Sequence, residues 1–217
     1  MRHMLNQRVF YGFRLIFFIA VILSPEAIKT SHAKAGLVSL QESMQKAMVG
    51  DPTATVIITE YASLGCTHCA HFHQKTFPHL KRDYIDTGKV KMVFVDFPLG
   101  TPALAASMIA RCAGPKRYFG FVDLFFRSQK SWAQAENPLT ALKKVARFGG
   151  LNSDDVDHCI QQQPLIDYIQ NTARDASEEH DINSTPSFVI NGQKHSGFIE
   201  YGAFKSLVDN ALHRANQ

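Results

Sequence analysis

The chain has no long hydrophobic run. Its uninterrupted apolar stretch Leu15–Leu23 has nine residues, against the ~20 that a helix needs to cross a bilayer. Basic clusters are missing too. Of the 23 Lys+Arg and 19 Asp+Glu, five and one fall in residues 1–35, so the remaining 18 of each leave the rest of the chain neutral. That balance excludes the electrostatic footprint of a nucleic-acid binder. There is no internal repeat and no low-complexity tract. Cysteine is scarce, with four in 217 residues, a length that suits one domain with an insertion or two small domains.

What is present begins with a leader. Arg2, Arg8 and Arg14 precede the apolar stretch, and Ala33-Lys34-Ala35 places small residues around a cleavage point after Ala35. Residues 1–35 therefore read as a signal peptide, and the mature chain as periplasmic. The second reading is an uncleaved anchor, because twelve residues separate the apolar core from Ala35. Export brings oxidising conditions, in which Cys66, Cys69, Cys112 and Cys159 can all be oxidised. Four cysteines allow three pairings in principle. The short spacing in Cys66-Thr67-His68-Cys69 selects one, which leaves Cys112 with Cys159. That second bridge would act as a structural staple.

Cys66-Thr67-His68-Cys69 follows the apolar run Val56-Ile57-Ile58-Thr59-Glu60-Tyr61 and opens a helix-like stretch. The pattern fits reversible dithiol chemistry. The first sulfur sits at a helix N-terminus, where unpaired N–H groups and the macrodipole favour a thiolate. The second lies one turn on, close enough to close an exchangeable bond. A structural disulfide or half of a zinc site could share this motif. His71, His73 and His79 tempt a metal reading, but one helix cannot easily converge four ligands. His71, Lys75 and His79, at i, i+4 spacing, more simply mark a polar outer face. No metal is expected.

The coarse order of elements follows from periodicity. Leu37, Leu40, Met44 and Met48 fit one face of a short helix, which Gly50-Asp51-Pro52 breaks. Residues 55–61 predict a buried central strand, because Val56, Ile57 and Ile58 are contiguous. A helix over 66–87, with Cys69, Phe72, Thr76, Leu80 and Tyr84 inward and a kink at Pro78, leads to a second strand at 90–95. These make a right-handed βαβ unit. Residues 98–181 read as helical only: 101–112 with Thr101 as N-cap, 119–128, 138–148, 153–162 with Ser153 as cap, and 165–179. Phe119, Phe121, Phe125, Phe126 and Trp132 read as the core of this part. A strand at 187–190, an Asn191-Gly192 type I′ turn and a returning strand at 193–196 precede a closing amphipathic helix.

The order βαβ, helical insertion, ββα, with C-x-x-C opening the first helix, resembles the thioredoxin superfamily. More narrowly it resembles the DsbA family of exported thiol–disulfide oxidases, over about residues 50–214. Gly50-Asp51-Pro52, Glu60-Tyr61, Cys66-Thr67-His68-Cys69, Phe72, Phe97-Pro98-Leu99, Thr185-Pro186 and Asn191-Gly192 carry the likeness. It implies an α/β thioredoxin fold with an inserted all-helical subdomain, divided as 36–98, 99–181 and 182–217. It implies that Cys66 is the exposed nucleophile and Cys69 the buried resolving sulfur. His68 would tune Cys66, and Thr67 stands where many relatives carry Pro. Glu60 would exchange protons with Cys69. Pro186 would be cis, with Thr185 presenting backbone groups to an extended substrate.

The expectation is a monomeric oxidase without a bound cofactor, since the two sulfurs carry the electrons. Its partners would be unfolded exported polypeptides with free thiols and a quinone-linked, DsbB-like membrane reoxidase. Rivals of the same fold are an isomerase, a reductase and, in another class, a metal-delivery protein. The isomerase is disfavoured because residues 36–53 are too few for a dimerisation domain.

Overall fold

The structure, a computed structural model, describes residues 36–215 and 217. The signal-peptide expectation falls on residues 1–35 and lies outside them. The first helix α1 is short, Leu40–Ser43, and its capping box joins Ser39 to Glu42. Met48 does not extend it. Ala47–Val49 forms a strand, β1, whose three residues pair antiparallel with 92–94. The apolar spacing that suggested a helix face instead spans a helical turn and a sheet edge.

The central strand β2 is Val56–Ala62 and β3 is Val90–Asp96, paired in parallel from Val56↔Val90 to Ala62↔Asp96. Burial in β2 alternates at first, with Ile57 at 39% exposure, and becomes continuous over Glu60, Tyr61 and Ala62. The contiguous apolar residues Val56–Ile58 therefore lie at the end covered on one face only, and the end covered on both faces carries Glu60, Tyr61 and Ala62. Between the two strands the chain is helical but not continuously so. Thr67–Lys75 is α2, and Phe77–Leu80 is α3, with Pro78 in its first turn. A wider π-type turn follows at Lys81–Ile85. The break falls at Thr76, because Pro78 has no N–H to continue the ladder. Cys69, Phe72, Thr76, Leu80 and Tyr84 are nonetheless all buried.

The helical part comprises α4 (Thr101–Cys112), α5 (Pro115–Arg127), α6 (Gln129–Ala133), α7 (Pro138–Phe148), α8 (Ser153–Ile160) and α9 (Gln163–His180). The caps of α4 and α8 fall one residue earlier than expected. Gly100, at φ 91°, takes the turn before α4, a conformation that Thr101 would adopt only with strain. Asn152 caps α8 and closes a capping box with Asp155. β4 (Ser187–Ile190) and β5 (Gln193–Ser196) form the hairpin, with Asn191 and Gly192 both at positive φ as a type I′ turn demands. α10 (Tyr201–Ala215) closes the chain. The sheet order is β1-β3-β2-β4-β5, so β2 is central.

Two apolar clusters sandwich the sheet. One gathers Val56, Ile58, Phe72, Met92, Phe188 and Phe204. The other gathers Ala62, Cys69 and Phe94 with Phe121, Phe125, Phe126 and Trp132 of the helical part. Phe119 is only partly buried. Cys112 and Cys159 lie in this second cluster and form a disulfide, with Cα atoms 6.2 Å apart and a sequence separation of 47. Arg111 ties helix to sheet. Its Nε donates to Asp96 at 2.6 Å, and its guanidinium also donates to the carbonyls of Ser43 and Gln45.

Candidate active site

β2 ends where the sheet meets both helical layers, and Ser63-Leu64-Gly65 turns the chain there into α2. Ser63 Oγ accepts from the N–H groups of Gly65 and Leu99, at 3.2 and 3.1 Å, and the Cys66 N–H donates to the Ser63 carbonyl. Gln129 of α6 donates to the carbonyls of Leu64 and Cys66, at 2.7 and 2.9 Å. The turn carrying the first cysteine is thus pinned by a helix that sequence periodicity did not reveal. Gln129 followed a Phe-rich run with no spacing signal of its own.

Cys66 is the N-cap of α2 and is half-buried, whereas Cys69 is fully buried. The backbone N–H of Cys69 donates to Cys66 Sγ at 3.4 Å. In its thiol form Cys66 donates to the Thr185 carbonyl at 3.3 Å. Its pKa is lowered to about 5, chiefly by a hydrogen bond from the Cys69 thiol, against a desolvation penalty, with further help from Thr185 and the backbone N–H groups of Cys69 and His68. The Cys69 thiol is pushed well up, first by burial, then by the neighbouring Cys66 sulfur and the Glu60 charge. The two sulfurs of one motif are driven in opposite directions, the pattern of an attacking and a resolving thiol. His68 is exposed, and what bears on Cys66 is its backbone N–H rather than its imidazole.

Thr185 and Pro186 reach this site from the far side. The register Tyr61↔Ser187 sets the start of β4 beside the end of β2, and the Thr185–Pro186 peptide is cis. The Thr185 hydroxyl is buried and makes no hydrogen bond among the described residues while Cys66 is a thiol, yet it lowers the Cys66 pKa. The two observations agree if the hydroxyl becomes a donor once the sulfur carries charge. Leu99, 56% exposed, and Thr67, also exposed, lie on the outer rim.

Beneath the sulfurs Glu60 is fully buried, and both of its oxygens meet His73 Nε2, at 2.9 and 3.1 Å. In sequence His73 groups with His71 and His79 as tempting metal ligands. The structure separates that group. His71 stacks on Phe198 at 4.3 Å, His79 packs near Tyr201, and His73 turns inward to Glu60. The signal available was spacing, since His73 lies four residues after Cys69 and shares its inner face.

Comparison with known proteins agrees with this geometry. A thioredoxin family model matches residues 42–210. The crystal structure of Wolbachia pipientis alpha-DsbA1 superposes with a TM-score of 0.74 at 34% identity, over 79% of this chain and 93% of that one. A Rickettsia felis protein provisionally named a protein-disulfide oxidoreductase is 30% identical over 166 residues. That match covers 76% of this chain but only 59% of the relative's length. Disulfide bond formation protein D of Bacillus subtilis is 22% identical over 171 residues, 76% of each chain. With 34% identity over 93% of the length of alpha-DsbA1 and a thioredoxin family model matched over residues 42–210, the chain belongs to the DsbA family of the thioredoxin superfamily.

Proposed function

We propose that the chain is a protein dithiol:disulfide oxidoreductase that donates the Cys66–Cys69 disulfide to folding exported proteins. One observation carries this reading: Cys66, half-buried at a helix N-terminus, has a pKa of about 5, while burial holds its partner Cys69 well above the ordinary thiol value. A thiolate this stable is a good leaving group, so the oxidised form gives up its disulfide readily.

The reaction starts when a client thiolate attacks Cys66 Sγ. The Cys66–Cys69 bond breaks, and Cys69 leaves with the electron pair and takes up a proton. The client and Cys66 are then joined as a mixed disulfide. A second client thiolate attacks the client sulfur of that bond and expels Cys66 as a thiolate. The client gains one disulfide and the enzyme is reduced by two electrons. Thr185, next to Cys66 and ahead of Pro186, would present its backbone to an extended client. No organic cofactor or metal enters these steps.

Turnover needs an electron acceptor, and the family resemblance points to a quinone-linked membrane reoxidase. Arg2, Arg8, Arg14 and the Leu15–Leu23 stretch support export to the periplasm. Among the described residues no helix is long and apolar enough to cross a membrane. The protein would act as a monomer. The equilibrium constant of the Cys66–Cys69 pair with glutathione tests the direction. A strongly oxidising value is expected, and a strongly reducing one would make the chain a reductase.

A further inference from the structure

Expelling Cys69 from the disulfide releases charge on a fully buried sulfur. Cys69 is fully buried and so is the carboxylate of Glu60, the nearest acid on the sheet. Neither group can exchange a proton with solvent directly. In the sheet Glu60 sits opposite Phe94 on one side and Phe188 on the other, so its strand neighbours offer it no polar contact. Its partner comes from the helix instead. His73 places Nε2 against both carboxylate oxygens.

His73 also stands in a telling position relative to the sulfur. It follows Cys69 by four residues on α2, and side chains so spaced share one helix face and lean toward the N-terminal turn. The ring is held on three sides. Phe126 of α5 stacks on it at 4.6 Å, and Phe77 and Phe94 pack at 4.9 and 5.8 Å. About 3% of the side chain's surface stays open. The other ionisable groups near the pair belong to a separate network. Tyr118 of α5 feels the Glu60 charge, but its hydroxyl donates to Asp96, which Arg111 of α4 already holds.

We propose that His73 is the positioning residue that holds and reloads Glu60, so that the Glu60–His73 pair delivers a proton to Cys69 as the disulfide opens. The inference rests on the oxidoreductase reading above. In the oxidised enzyme the pair shares one mobile proton between carboxylate and imidazole. When a client thiolate breaks the Cys66–Cys69 bond, that proton moves to the departing Cys69 sulfur. The pair is left with carboxylate and neutral imidazole. Solvent returns the proton through His73, whose Nε2 lies against both carboxylate oxygens. Reoxidation runs the same transfer backwards. A buried sulfur is then never left charged, which matters because its anion is the costly form.

The test is stopped-flow reduction of the oxidised protein by dithiothreitol as a function of pH, with rates divided by the dithiothreitol thiolate concentration. His73→Gln keeps an N–H donor for Glu60 but cannot carry the proton. Its normalised rate should fall by about 100-fold, the lower end for a positioned acid, and any slowing in heavy water should vanish. The pH profile of Cys66 alkylation and the melting temperature should not move. An unchanged reduction rate would overturn the proposal. So would a loss accompanied by a shifted Cys66 profile, since that marks a general disturbance of the site. Should His73→Gln not fold, Glu60→Gln is expected to show the same loss, and a wild-type rate there would also overturn it. A wild-type protein that dithiothreitol never reduces would instead sink the oxidoreductase reading itself.

Discussion

The two cysteine pairs of this chain are built from the same atoms for opposite ends. Cys112 and Cys159 come from α4 and α8, are nearly or fully buried, and are closed by a bond inside a cluster of aromatic and aliphatic side chains. Cys66 and Cys69 share one helical turn, are free thiols, and differ sharply in exposure and pKa. Among the described residues no group donates a hydrogen bond to either sulfur of the first pair. The second is ringed by donors on one side only. Redox activity in this fold therefore lies in asymmetry around two sulfurs rather than in the presence of a disulfide.

Single substitutions should split the pairs most sharply. Cys66→Ser is expected to abolish disulfide exchange, measured as oxidation of a reduced peptide, while leaving the melting temperature of the reduced protein nearly unchanged. Residual exchange from Cys69 alone would mean the buried sulfur is not the resolving one. The double variant Cys112→Ser/Cys159→Ser should do the reverse. Opening a loop of 47 positions removes about 4 kcal/mol in the chain-entropy description, read as a lower urea midpoint, with exchange retained. Exchange lost at unchanged stability would make this second pair catalytic and erase the contrast.

How much of this contrast the residues declare in advance depends on how local the cause is. The C-x-x-C, the βαβ order and the hairpin are legible because each is set by neighbours in sequence. β4 and β5 fall at the expected residues because Asn191-Gly192 fixes both the turn and the register. Met48 misled, since three residues of strand are too few to show a period of two. Gly100 and Asn152 displaced the expected caps by one position, where two competent residues stood side by side. Gln129 and His73 were not legible as site residues. Each acts on a group 63 or 13 positions away, and such pairing is decided by tertiary packing that periodicity does not report.

A pH titration of the redox potential sharpens the comparison further. The folded pKa of Cys66 is depressed from 9.0 to about 5. The stabilisation this gives the reduced form is fully present above pH 9 and is lost as pH falls through about 5. Between those limits Cys66 is a thiolate and Cys69 a thiol, so reduction takes up one proton for two electrons. The potential should fall by about 30 mV per pH unit there, and by about 59 mV per unit below pH 5, where two protons are taken up. A slope of about 59 mV throughout the window would mean that both sulfurs titrate as ordinary thiols.

The smallest expected effect falls on Thr185. Its carbonyl accepts from the Cys66 thiol, and its hydroxyl lies buried without a partner in that state. Thr185→Val keeps the carbonyl and the shape but removes the hydroxyl. The thiol form is then undisturbed and the thiolate loses one donor. One hydrogen bond to a charged group is worth about 1.5 kcal/mol, so the proton affinity of Cys66 should rise about tenfold. The alkylation midpoint would move up, and the pair would become less oxidising. Thr185→Ser, which restores the hydroxyl, should return both toward wild type. With Cys66 as a thiol the protein should be no less stable with Val, because the hydroxyl makes no hydrogen bond in that form. Removing a buried hydroxyl on α4, the helix that carries Cys112, should leave Cys66 where it was; Ser107→Ala, also buried with an unpaired oxygen, is the control. An alkylation midpoint that ignores Thr185→Val would show that Cys69 and the helix N-terminus hold the thiolate by themselves.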